Sequence, residues 1–171
     1  MEPSLPLSAP EAQRPCNTPH ASHHNEPTVP PIRVLVAEDD LDTLAVIRLA
    51  LRRAGHTILT VGNGSEVSAR VTEWKPDVIL LDWVMPGLDG IDVCRQLKAD
   101  PQTRDVPVVF LTGNTDEHEL QQALALGAIG YITKPFDPVT LGEKVAQLFD
   151  QAQSSREVNG SSPSQDDGSG A

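Results

Sequence analysis

Apolar stretches of two kinds alternate along residues 32–149. The first kind is short and rich in β-branched residues: Ile32–Ala37, Thr57–Val61, Val78–Leu81, Val106–Leu111 and Ile129–Ile132. Short runs of this composition, bounded by Gly, Pro or polar residues, predict buried strands. The second kind is longer and repeats at helical spacing, as Leu44, Ile47 and Leu51 do within Leu41–Ala54. The same period predicts helices over Glu66–Trp74, Ile91–Lys98, Asp116–Leu126 and Val139–Phe149. Gly55 and Gly127 stop the first and fourth helices, and Pro76 stands just past the second. Pro107 lies near the start of the fourth strand, where a missing N–H is tolerated.

Strands that alternate with helices build a parallel sheet covered on both faces, with right-handed crossovers. The expected fold is α/β: a doubly wound, five-stranded parallel sheet of order 2-1-3-4-5 flanked by five helices, flavodoxin-like. No internal repeat is visible, and a second domain is not expected.

Composition changes outside this block. Residues 1–31 carry prolines at 3, 6, 10, 15, 19, 27, 30 and 31 and hardly any large apolar side chain. Residues 151–171 are rich in Ser, Gly and Asp, above all from Ser154 onward. Neither stretch can bury enough surface to offset its ordering entropy, so both are expected to be disordered tails around a domain at 32–150. The formal net charge of -11 argues against direct nucleic-acid binding, which needs clustered Lys and Arg. Cys16 and Cys94 lie far apart in unlike contexts and imply neither a disulfide framework nor a zinc site. No secretory signal or membrane-spanning run is visible, so a soluble, cytoplasmic chain is expected.

In open α/β sheets, ligands bind beyond the carboxyl ends of the strands. Glu38, Asp39 and Asp40 follow strand 1. Asp82 ends strand 3, directly after four aliphatic residues. Thr112, Gly113 and Asn114 follow strand 4, and Thr133, Lys134 and Pro135 follow strand 5. With the order 2-1-3-4-5 these ends share one crevice. Two carboxylates ~5 Å apart repel by roughly 3 kcal/mol at an effective dielectric near 20. A hard divalent cation resolves that repulsion, and Mg²⁺ favours oxygen ligands, waters and phosphate. An acidic nucleophile, a metal, a lysine and a hydroxyl are the parts of a phosphoryl-transfer site.

The ordered set Glu38-Asp39-Asp40, LLDWVMPGLDG at 80–90, LTGN at 111–114 and GYITKPF at 130–136 resembles the receiver domains of two-component response regulators, over about residues 32–150. The resemblance implies that Asp82 is the phosphoacceptor, phosphorylated by a sensor histidine kinase or a histidine phosphotransfer protein. It implies Mg²⁺ held by Glu38 through water, by Asp39 and Asp82, and by the backbone carbonyl of Val84. Lys134 would pair with Asp82 and then with the phosphoryl oxygens, and Lys134-Pro135 would be a cis peptide. Thr112 and Tyr131 would form the switch, read by an unidentified target at the helix 4-strand 5-helix 5 face. Val84 and Asn114 would tune the lifetime of the phospho-aspartate. The chain would then be a stand-alone phosphorelay receiver rather than an enzyme, catalysing only its own phosphorylation and dephosphorylation.

Plainer readings stand beside these. Asp82 could form a strand-end turn, Asp40 could be an ordinary helix-start acid, and Asp42 could cap that helix. Tyr131 could be core, Trp83 a surface-loop aromatic, and Cys94 a core thiol. His20, His23 and His24 have a chelating spacing only on a helix, which their prolines oppose. Gly62-Asn63-Gly64 lacks the third glycine of a nucleotide loop and reads as a turn. A rival function is a Mg²⁺-dependent phosphatase with an aspartyl-phosphate intermediate. That chemistry needs a second aspartate two residues past the nucleophile, where this chain has Val84. The remaining rival is a receiver-like binding module that takes no phosphate.

Overall fold

The structure is a computed structural model and describes residues 30–113 and 117–160. Five strands, β1 (Arg33–Ala37), β2 (Thr57–Val61), β3 (Val78–Asp82), β4 (Val108–Thr112) and β5 (Gly130–Thr133), alternate with α1 (Leu41–Arg53), α2 (Gly64–Trp74), α3 (Gly90–Ala99), α4 (Glu117–Ala125) and α5 (Leu141–Gly160). All strand pairs are parallel and the order is β2-β1-β3-β4-β5, as the alternation predicts.

Side chains alternate across the sheet, and the core divides accordingly. Leu35, Ala37, Ile79, Leu81, Val108 and Phe110 face α2, α3 and α4, against Val67, Val71, Val93, Cys94, Leu97 and Ala123. Val34, Val36, Val78, Leu80, Val109 and Leu111 face α1 and α5, against Ile47, Ala50, Leu51, Leu141 and Val145. The central strands β3 and β4 are buried at every position, while the edge strands β2 and β5 are partly open. Full burial of an aliphatic side chain contributes about 2 kcal/mol. Val78–Leu81 therefore anchor β3 firmly enough to hold the carboxylate that follows them.

Local chemistry sets the helix ends. Asp40, not Asp42, caps α1, accepting from the Thr43 N–H at 2.7 Å. The carboxylate three residues before the acceptor has the reach, and Asp42 already lies inside the first turn. Asp89 caps α3 in the same way, accepting from the Asp92 N–H, and Asn63 caps α2 by accepting from the Ser65 N–H two residues on.

The fifth helix passes the end predicted at Phe149 and runs to Gly160. Residues 151–159 contain neither glycine nor proline and include Gln, Ala, Arg and Glu, so local preference does not stop the helix. Ser154 and Ser155 donate back to the Asp150 and Gln151 carbonyls, and Arg156 donates to the Asp105 carbonyl. Exposure of these residues suppressed the apolar period without preventing the helix. Residues 1–29 and 161–171, including His20, His23 and His24, lie outside the described residues.

One buried histidine joins the residue before β1 to the last helix. The Ile32 N–H donates to His56 Nδ1 at 3.4 Å, and His56 Nε2 lies 3.2 Å from the Gly142 carbonyl. The ring must then carry its proton on Nε2 to serve both partners.

Candidate functional site

The loops at the carboxyl ends of the strands are stapled to their neighbours. The Glu38 N–H donates to the Val61 carbonyl at 3.0 Å, the Trp83 N–H to the Leu111 carbonyl at 3.0 Å, and the Lys134 N–H to the Thr112 carbonyl at 2.7 Å. The peptide Lys134-Pro135 is cis, as the resemblance implies. Gly90 brings α3 against the end of β3: its N–H donates to the Trp83 carbonyl at 2.9 Å. A Cβ at Gly90 would stand 2.3 Å from the Asp82 carbonyl oxygen, so the approach requires glycine.

Four of the predicted residues meet at this rim. Carboxylate oxygens of Glu38, Asp39 and Asp82 all lie within 4.8 Å of one another. Lys134 Nζ lies 2.6 Å from Glu38 Oε2 and 3.0 Å from Asp82 Oδ1. The same Asp82 oxygen accepts the Trp83 N–H at 2.8 Å, and the Asp40 N–H donates to Glu38 Oε1 at 3.2 Å. Thr112 is buried one position beyond Leu111, the residue paired with Asp82 across β3 and β4. Val84 lies on the loop after β3 with its side chain turned to solvent. Tyr131 is 37% exposed on β5, so it is not a core aromatic. Asn114 lies outside the described residues.

Two contacts were not legible in the sequence. Lys134 follows β5, separated from β1 by β4 and β3, yet its ammonium and the Glu38 carboxylate meet over these intervening strand ends. Nothing in local spacing announces that reach. Trp83 is half-buried rather than a surface-loop aromatic, its ring centroid 5.0 Å from that of Phe110. The tilted pairing fixes the backbone directly after Asp82.

Electrostatics follow from the burial. Burial pushes the Glu38 carboxyl above its ordinary value; the bond from Lys134 opposes this, and the Asp82 charge reinforces it. Burial alone would lower the Lys134 ammonium. Its bonds to Glu38 and Asp82 outweigh that and hold it above the ordinary lysine value. One ammonium among three carboxylates leaves excess negative charge, all on oxygen donors, which is the chemistry a hard divalent cation fits. Relieving that charge should stabilise the metal-free protein. Asp39→Asn is expected to raise its stability by about 1 kcal/mol, a solvent-screened share of the repulsion between neighbouring carboxylates. Thermal unfolding in a chelator checks this, and an unchanged or lower midpoint would count against it.

A family model described as the response regulator receiver domain matches residues 34–146. The phosphate regulon transcriptional regulatory protein PhoB of Pseudomonas aeruginosa is 41% identical over 115 residues, 67% of this chain and 49% of that protein. The DNA-binding response regulator MtrA of Mycobacterium tuberculosis is 41% identical over 113 residues, 66% of this chain and 48% of that protein. The chain thus spans about half the length of these curated relatives. The structure of the chemotaxis response regulator CheY4 of Vibrio cholerae is similar at a TM-score of 0.65 and 28% identity, covering 70% of this chain and 99% of that one. Among the described residues, no helix is long and apolar enough to cross a membrane. A match running from Val34 to Ala146, through all the strands and the loops that carry the acid cluster, makes the chain a member of the response regulator receiver domain family of two-component systems.

Proposed function

We propose that this chain accepts a phosphoryl group on Asp82 from a phosphohistidine of a sensor kinase or phosphotransfer protein, in the cytoplasm, and signals through the change in charge. The observation that carries the reading is the setting of Asp82. It ends a fully buried central strand, and one of its oxygens is held by Lys134 and the Trp83 N–H within an acid cluster.

The chemistry needs little from the protein beyond positioning and charge. A bond forms between an Asp82 oxygen and phosphorus as the donor's P–N bond breaks; the electron pair stays on that ring nitrogen, and the imidazole, protonated on its other nitrogen, leaves neutral. The Lys134 ammonium neutralises charge on the transferring oxygens. Thr112 donates its hydroxyl to one of them. Glu38, Asp39, Asp82 and the Val84 carbonyl would hold Mg²⁺, which supplies further charge neutralisation when bound. The product carries about -1.5 to -2 of charge at a rigid point, in place of the single negative charge of the free carboxylate. Thr112 and Tyr131 would carry that change to the α4-β5-α5 face, and the exposed position of Tyr131 fits the outward state of such a switch.

Incubation with Mg²⁺ and acetyl phosphate tests the reading. The expected product is acid-stable, base-labile protein phosphate in stoichiometric amount. Absence of label would favour a module that takes no phosphate, and rapid turnover of unrelated phosphoesters would favour a phosphatase. Val84 and Asn114 should tune hydrolysis, and Val84 cannot hold a water with its side chain. Val84→Asn is expected to change the decay rate several-fold after donor removal, and an unchanged rate would contradict the assignment.

Output by partner binding, as a stand-alone receiver, is the reading we favour for the net charge of -11. The second reading is output to DNA, as the name of MtrA states for that protein, and it is favoured by the extent of MtrA and of the transcriptional regulatory protein PhoB beyond the matched half. Gel-shift assays with phosphorylated protein separate the two.

A further inference from the structure

We propose that the turn Gly62-Asn63-Gly64, which carries no reacting group, is a positioning element that sets the spacing between the loop after β1 and the loop after β3. The inference rests on the phosphoacceptor reading, which gives those two loops their chemistry, but it assigns a role to a strand end that supplies no site residue.

The turn is bonded on both sides. At its start the Val61 carbonyl accepts the Glu38 N–H at 3.0 Å. At its end the Gly64 N–H donates to the Pro86 carbonyl at 3.1 Å. Residues 61–64 thus connect the backbone that bears Glu38 and Asp39 to the backbone that follows Asp82. The contact with the loop after β3 is closed. A Cβ at Gly64 would stand 2.0 Å from the Leu88 carbonyl oxygen. A Cβ at Gly87 would stand 2.4 Å from Asn63 Oδ1 and 2.6 Å from Ser65 Oγ. Asn63 Oδ1 is itself held, because it accepts the Ser65 N–H at 2.9 Å as the cap of α2. Contact this close leaves the loop little room to slide.

The residue that this packing places is Val84. Its side chain is 73% exposed and cannot anchor it. Before it, Trp83 is bonded to the Leu111 carbonyl and packs on Phe110. After it, Met85 is buried in the core and the Pro86 carbonyl is held by Gly64. The Val84 carbonyl, which the phosphoacceptor reading assigns to Mg²⁺, is therefore placed by its two flanks, and the second flank is set by the turn.

Gly64→Ala keeps the donor N–H and adds only a Cβ, so it pushes the loop after β3 away without altering a reacting group. The control is Ile47→Ala, which opens a cavity in the core on the other face of the sheet. Initial rates of acetyl phosphate labelling are compared at saturating Mg²⁺, with circular dichroism to establish that both variants are folded. Gly64→Ala is expected to label about 10–100-fold more slowly than the unsubstituted chain, the loss that a misplacement of about 1 Å causes, and Ile47→Ala to stay within about twofold. A Gly64→Ala rate equal to that of the unsubstituted chain, or equal losses in both variants, would overturn the proposal. Hydrogen exchange on the unsubstituted chain covers the case in which Gly64→Ala does not fold. A cation that uses the Val84 carbonyl binds the braced loop and so opposes opening of the Gly64–Pro86 bond. Saturating Mg²⁺ is expected to slow exchange of the Gly64 amide about tenfold, while the Gly55 amide, bonded to the Arg52 carbonyl at the end of α1, changes by less than about twofold. An unchanged Gly64 amide, or equal slowing at both amides, would overturn the proposal. Failure of the underlying reading has its own signature. Absence of label from the unsubstituted chain sinks the phosphoacceptor reading and the positioning role with it, whereas undiminished labelling of folded Gly64→Ala sinks the positioning role alone.

Discussion

Gly90→Ala is expected to destabilise the fold by about 3 kcal/mol, in the range that follows from forcing a side chain into a closed backbone contact. The added Cβ would meet the Asp82 carbonyl oxygen at 2.3 Å and Trp83 Cα at 3.1 Å. Neither is the end of a flexible side chain, so the neighbour cannot give way cheaply. Relief requires α3 to retreat from β3, which breaks the bond from the Gly90 N–H to the Trp83 carbonyl. The loop that presents Asp82 would shift with it. Urea unfolding measures the effect directly. Gly113→Ala is the control, because a Cβ there meets nothing within 4 Å, and it should stay within about 0.5 kcal/mol of the parent. A Gly90→Ala loss no larger than that of the control would contradict the packing described.

Lys134→Ala should lower the rate of Asp82 labelling by acetyl phosphate about 10²–10³-fold, the usual effect of removing one preorganised donor from a charge-developing centre. The ammonium touches both Glu38 and Asp82, and no other contact described at this rim brings a cationic side chain to the acceptor. The side chain is 24% exposed and belongs to neither half of the hydrophobic core, and Mg²⁺ would compensate the carboxylates it leaves, so the fold should persist at saturating Mg²⁺. The initial rate of labelling at saturating Mg²⁺ checks this, with circular dichroism to establish folding. A rate within a few-fold of the parent would mean that Lys134 is an onlooker.

The sequence carried most of the fold because its strands alternate so regularly with its helices. Each β-branched run became a strand in the expected place, and doubly wound topology then fixed which strand ends meet. Asp82, Glu38, Asp39 and Lys134 were recognisable because acids and a lysine at neighbouring carboxyl ends are costly unless they serve a charged ligand. What was not legible depended on reach and on packing. The Lys134–Glu38 pair spans three strand ends, a distance that only the folded sheet closes. The packing of Trp83 on Phe110 joins the end of β3 to β4, a contact that only the folded sheet makes. The length of α5 escaped because its last turns have no apolar face to report it. The His56 contact joins residues from opposite ends of the domain, so no local pattern marks it.

The central claim is that Asp82 is the phosphoacceptor, and chemical mapping of the modified residue tests it most directly. Protein labelled with acetyl phosphate and Mg²⁺ is reduced with borohydride, which converts an acyl phosphate to the corresponding alcohol, and then digested and sequenced by mass spectrometry. The account predicts homoserine at position 82 and nowhere else, and no conversion in Asp82→Ala. Conversion at Asp39 or Glu38 in the unsubstituted chain, or label persisting at full stoichiometry in Asp82→Ala, would contradict it.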